Sequence, residues 1–158
     1  AVNIAVESRI ADTPRYISEG LAQLFETPAL VGSQPGVGRR QRIKPNALRS
    51  LRASLQTRGR FDAKKIAAIL QVLVESERGF DALGSREMAY DLSWALMFYL
   101  SEQRIDAFSN LLVTTRSNPI FQQVSPRKRL ADFEDAVQAD VDAFALQLAR
   151  FLDRLASP

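Results

Sequence analysis

The side chains that could do chemistry here are carboxylates, tyrosines, lysines, arginines and hydroxyls, because the 158 residues contain neither histidine nor cysteine. That removes an imidazole general base, a Ser-His-Asp triad, a thiol nucleophile and any His or thiolate metal ligand supplied by this chain. It also removes a disulfide framework, and it says little about compartment, since a cysteine-free protein tolerates oxidising and reducing surroundings alike. Among what remains, one spacing is suggestive. Glu19, Ala22, Gln23 and Glu26 share one face if residues 16–26 are helical. A single carboxylate on a helix is ordinarily a solvated charge, so spacing alone gives Glu19 no further role. Tyr90, Trp94 and Tyr99 also recur at helical spacing, which reads first as core aromatics whose polar tips find partners.

Basic residues offer a second kind of chemistry. The net charge is +3, but residues 31–65 hold ten bases against the single acid Asp62, a local +9 that leaves −6 for the rest of the chain. Such a block could bind an anion or a nucleic acid, or simply face the protein's own acidic half. Phe61 is its only aromatic and there is no Gly-rich phosphate loop, which argues against nucleic acid. Arg39, Arg40 and Arg42 lie in a Gly/Pro-rich stretch, 27–44, and could grip a substrate carboxylate bidentately. A solvated surface explains the same arginines more simply.

The elements that must position these residues read as helices. Hydrophobic residues make up 46% and charged residues 25%, the usual balance of a globular chain, and no apolar run reaches the ~18 residues a membrane span needs. Ile66, Ile69, Leu70, Leu73 and Val74 form an amphipathic stripe. Met88 to Leu100 is apolar nearly all round and predicts a central buried helix. Ile105, Phe108, Leu111 and Leu112 make a shorter stripe ended by Ser117-Asn118-Pro119. Ser125-Pro126 predicts an N-cap with proline at the first helical position, and Val141 to Leu155 repeats 3-4-3-4 as a packing seam. Asp12-Thr13-Pro14 predicts a cap for a helix over Tyr16–Glu26, in which Gly20 costs about 1 kcal/mol relative to Ala and so implies a close approach. A helix is expected over Asn46–Thr57, and no alternating strand stands out. The expected fold is all-α, one domain over 1–158.

Residues Pro14-Arg15-Tyr16-Ile17-Ser18-Glu19-Gly20-Leu21-Ala22-Gln23-Leu24-Phe25-Glu26 resemble the "P-x-W-(L/I/V)-S-E-G-L-A-x-x-F-E" segment of bacterial gluzincin-type, peptidase-MA-like metallopeptidases, domain-of-unknown-function family fifteen-seventy. Ala1-Val2-Asn3-Ile4-Ala5-Val6 is similar to the stretch that follows that family's His-Glu-x-x-His. Tyr90 through Leu100 is similar to its "Y-x-x-x-W-A-L-x-x-F-L" helix, and 133–152 to its closing segment. The resemblance implies that the chain is the helical half of a zincin-like domain. Residues 1–8 would then be the end of the catalytic helix, 14–26 the helix carrying a metal-ligand glutamate, 27–44 a loop and 45–155 a helical bundle.

It further implies zinc in the intact protein, with two ligands from the His-Glu-x-x-His helix and Glu19 as the third. Glu26 would stand behind as an orienting neighbour and Tyr90 would stabilise an oxyanion. A peptide or protein would be the substrate, and a bacterial envelope or secreted location follows by the same resemblance. Lacking every histidine, the chain alone is expected to hold no cofactor and to hydrolyse nothing. The competing readings are a non-catalytic helical interaction domain on the same scaffold and an anion or nucleic-acid binder through 31–65. Loss of the covering helix would leave Leu21, Leu24 or Phe25 exposed and favour self-association.

Overall fold

The computed structural model describes residues 13–26, 42–83, 85–118 and 123–157. Eight helices and one short hairpin fall among them: α1 (Arg15–Phe25), α2 (Pro45–Leu55), β1 (Gln56–Thr57), β2 (Arg60–Phe61), α3 (Ala63–Glu75), α4 (Gly79–Ala82), α5 (Arg86–Gln103), α6 (Ile105–Ser117), α7 (Pro126–Val137) and α8 (Val141–Ala156). The fold is all-α. Its centre is α5, buried on every side from Asp91 to Leu100, as a helix apolar all round must be. Helices α1, α2, α6 and α8 pack around it, while α3 lies mainly against α8 and α7.

Local sequence explains most boundaries. Ser85 accepts from the Met88 amide and starts α5; Ser125 accepts from Lys128 with Pro126 behind it; Asp140 accepts from Ala143 and starts α8. Asp62 caps α3 through Lys64 and Lys65. At α1 the expected cap is replaced: Pro14 itself occupies the N-cap position and makes no side-chain cap bond, while Asp12 lies outside the described residues. Instead the carboxylate of Glu77 accepts from the Arg15 amide at 3.1 Å and is itself paired with Arg129 of α7, so an anion still meets the positive end of α1.

Two expectations need correction. The second helix stops at Leu55, because Gln56–Thr57 pairs antiparallel with Arg60–Phe61 in the register Gln56 to Phe61 and Thr57 to Arg60. The turn between them has positive φ at both central residues, Arg58 (54°) and Gly59 (79°), the requirement of a two-residue hairpin that matches strand twist. Ile105, placed on a buried stripe, is 59% exposed; α6 buries only Ala107 and Leu111 fully.

What fixes α1 also fixes its chemistry. Tyr16, Ile17, Gly20 and Leu24 form its buried face. Tyr16 packs edge-on to Phe133, Phe133 to Phe144, Phe144 to Tyr99, and Tyr99 against Phe151, an aromatic chain through α7, α8 and α5. Full burial pushes the Tyr16 phenol well above its ordinary pKa. At Gly20 the two helices nearly touch: a Cβ there would lie 2.5 Å from the Ser93 carbonyl oxygen. The bare glycine is a packing requirement, as its helix-breaking cost implied.

Candidate functional site

With 16, 17, 20 and 24 turned inward, the opposite face of α1 presents Glu19, Ala22, Phe25 and Glu26 outward or half outward. Glu19 is half-buried and its carboxylate lies 3.7 Å from Arg15 Nε, one turn earlier. Arg15 is the hub of the site. Its guanidinium also stands 3.6 Å from Asp81, lies 4.8 Å over the ring of Phe80, and comes within reach of the Tyr90 hydroxyl. Tyr90 in turn packs edge-on against Phe80, with ring centroids 5.3 Å apart. The Tyr90 hydroxyl, helped by the carboxylates of Asp81 and Glu19, pushes the Arg15 pKa above its ordinary value despite some opposing desolvation. Glu19 and Tyr90, from α1 and α5, are thus brought to one cation.

The arrangement is adjustable rather than locked. An ion pair with both side chains about 30% exposed contributes roughly 0.2–1 kcal/mol, too little to hold Glu19 against a stronger cation. The site therefore offers two accessible carboxylates, Glu19 and Asp81, one phenol hydroxyl and one positive charge between them.

The other expected residues sit apart from this hub. Glu26 is exposed and pairs with Lys44 at 3.8 Å; Lys44 also bonds Gln23, so the end of α1 is tied to the start of α2. Arg42 meets both carboxylate oxygens of Glu102 through one nitrogen, Nη2, at 2.8 and 3.0 Å, while its buried Nε has no hydrogen-bond partner among the described residues. It lines a cavity of about 220 Å³ with Leu24, Phe25, Phe98 and Phe108. Phe25 there is 60% exposed, whereas Leu24 is buried and Leu21 half-buried. Arg39, Arg40 and the segments 1–8 and 27–41 lie outside the described residues.

Sequence reasoning missed Asp91. It sits on α5, is 7% exposed and lies near Ser50 of α2, and its Oδ2 has no hydrogen-bond partner among the described residues. Burial raises its pKa, with Glu87 adding to the rise, while Ser50 and the nearby Lys44 oppose it. An acid in the middle of the apolar run from Met88 to Leu100 was the signal. Arg15 carried a weaker one, lying four residues before Glu19.

The family described as "Protein of unknown function (DUF1570)" matches residues 1–121. The chain belongs to that family. The match spans α1 with Glu19 and α5 with Tyr90, so both sides of the Arg15 hub fall inside it. No curated protein and no solved structure matches the chain. Zinc, implied by the resemblance, can be tested against the donor set. Among the described residues no three His, Cys, Asp or Glu side chains come together as a metal site. Glu19 supplies one carboxylate where a catalytic zinc takes three protein ligands, so these residues by themselves do not fit the ion.

Proposed function

We propose that the family domain is a gluzincin-type zinc peptidase that hydrolyses peptide bonds, and that this chain contributes its helical wall and a single metal-ligand carboxylate, Glu19. Both histidine ligands would come from a helix outside these 158 residues, so the chain by itself is not an enzyme. The observation that carries the reading is the convergence of the Glu19 carboxylate and the Tyr90 hydroxyl on Arg15, on the partly exposed side of the α1–α5 pair. Convergence follows from the fold, since Gly20 seats α1 on α5 and Tyr16 packs on Phe133 of α7, which leaves Glu19 turned away from the core. The similarity of residues 14–26 to the peptidase segment supplies the role.

In this reading Tyr90, held by Arg15 and Phe80, keeps its O–H proton for a developing oxyanion on the substrate carbonyl. Arg15 keeps positive charge beside the site and hands Glu19 over at little cost. The test uses the intact protein bearing the His-Glu-x-x-His helix. Glu19→Gln should abolish metal-dependent peptide hydrolysis and lower bound zinc while helical content stays unchanged. Undiminished hydrolysis in that variant would end the assignment.

A further inference from the structure

On another part of the molecule the hairpin, the last turn of α2 and the last turns of α8 surround an open cavity of about 500 Å³. Arg52, Arg60, Arg150 and Arg154 line it, and Asp153 is the one acidic side chain among its described lining residues. Asp153 is already engaged: one oxygen accepts from the Phe61 amide at 3.0 Å and so pins β2 against α8. That bond brings β2, with Arg60, to the same cavity as Arg150 and Arg154, which lie four residues apart on α8. Among the described residues the side chains of Arg60, Arg150 and Arg154 have no ion pair or hydrogen bond, and that of Arg52 makes only a long 3.4 Å contact with the Ala156 carbonyl. The contrast with Arg15, Arg42, Arg86 and Arg129, each paired to a carboxylate, is plain.

Helix ends do not explain so much charge. Arginines near helix C-termini offset a dipole end of about −0.5 each, and two helices end here, α2 and α8. Those ends and Asp153 together offset about two of the four positive charges. Arg150 and Arg154 at i, i+4 also repel one another. The surplus is left facing a concave space.

We propose that this cavity binds a small anion carrying two or more phosphate groups. Its volume lies in the range of small-molecule sites, about 300–1,000 Å³. Guanidinium forks match phosphate oxygens bidentately, and arginines from three separate elements can reach more than one phosphate. No aromatic ring among the described residues lines the cavity, which leaves them without the stacking platform by which single-stranded nucleic acids are held. The site is independent of the Glu19–Arg15–Tyr90 cluster.

The experiment is calorimetric titration of the 158-residue chain with tripolyphosphate, pyrophosphate and orthophosphate at matched ionic strength, alongside a short single-stranded oligonucleotide. One-to-one saturable binding is expected for tripolyphosphate and pyrophosphate, with orthophosphate at least about tenfold weaker. Arg60→Gln and Arg154→Gln should each weaken tripolyphosphate about tenfold, with circular dichroism confirming unchanged helicity, while Arg127→Gln, on the exposed start of α7, should change nothing. Absence of saturable binding would overturn the proposal. So would equal losses in Arg127→Gln, or tighter binding of the oligonucleotide than of tripolyphosphate. An unfolded Arg154→Gln leaves Arg60→Gln to decide, since Arg60 is exposed on a hairpin and its side chain has no ion pair or hydrogen bond among the described residues.

Discussion

Gly20→Ala puts the α1–α5 contact to a quantitative test. The new Cβ would lie 2.5 Å from the Ser93 carbonyl oxygen and 2.6 Å from Met97 Cγ, where ordinary contact begins near 3.4 Å. Ser93 is helix backbone and Met97 is fully buried, so neither can swing aside. The helices must therefore separate by most of an ångström, loosening Tyr16, Ile17 and Leu24 on either side of the contact. Overpacking of this kind costs about 1–3 kcal/mol. Against it, Ala in place of Gly within a helix returns about 1 kcal/mol. The difference is a loss of up to about 2 kcal/mol, and no gain, with Tm lower by about 2–4 °C for each kcal/mol lost in a chain of this size.

Equilibrium urea unfolding followed by circular dichroism reads this directly, with Ala22→Gly as the reference. Ala22 is exposed on the same helix, so its replacement should lose only the propensity difference of about 1 kcal/mol. If Gly20→Ala proved more stable than the parent while Ala22→Gly lost its share, α1 would not be held against α5 by backbone contact. The positioning of Glu19 would then need another cause.

Trp94 is fully buried and stacked on Phe98 at 5.3 Å, so Trp94→Ala should cost about 3–5 kcal/mol by urea unfolding; a loss under about 1 kcal/mol would contradict that packing. Asp91 has a raised pKa in the folded state, so between its unfolded value near 3.9 and that raised value the folded chain keeps a proton the unfolded chain has released. Stability contributed by this group is accordingly greatest at low pH, falls as pH rises through that window, and stays reduced above it. Asp91→Asn should flatten this limb in Tm-versus-pH scans; an unchanged slope would show that the carboxyl is not desolvated. Metal analysis of the purified chain after incubation with zinc and desalting should find no stoichiometric ion, because one candidate ligand is present where three are needed.

Features set by neighbours in sequence were legible beforehand. The caps at Ser125 and the seam of α8 need only a few adjacent residues, and α5 declared itself by having no polar face. The hairpin did not, because two-residue strands are too short to alternate and Arg58-Gly59 lacks the Asn-Gly or Asp-Gly signature of such turns. The α7–α8 break is similarly silent: α7 ends on Gln138 at φ 55°, a left-handed position more often marked by glycine. At the site, Glu19 and Tyr90 could be named from the resemblance, and Arg15 lay within a helical turn of Glu19. Phe80 and Asp81 could not, since they reach Arg15 from more than sixty residues away, through a four-residue helix with no amphipathic pattern of its own.

Position and strength at Glu19 have different origins. Its place is set by large effects: a fully buried aromatic neighbour at Tyr16, a backbone contact at Gly20, and an α5 with nowhere to move. Its present partnership with Arg15 is weak, a half-exposed pair worth well under the cost of disturbing that core. A carboxylate held firmly in place by its helix but loosely by its counter-ion can change partners without the fold changing. A structural ion pair, buried and fully satisfied like those that specify a core, would show the opposite balance. On that comparison Glu19 is placed by α1 and left available, whereas Arg42, with both of its contacts on Glu102, is committed to holding the chain before α2 against the end of α5.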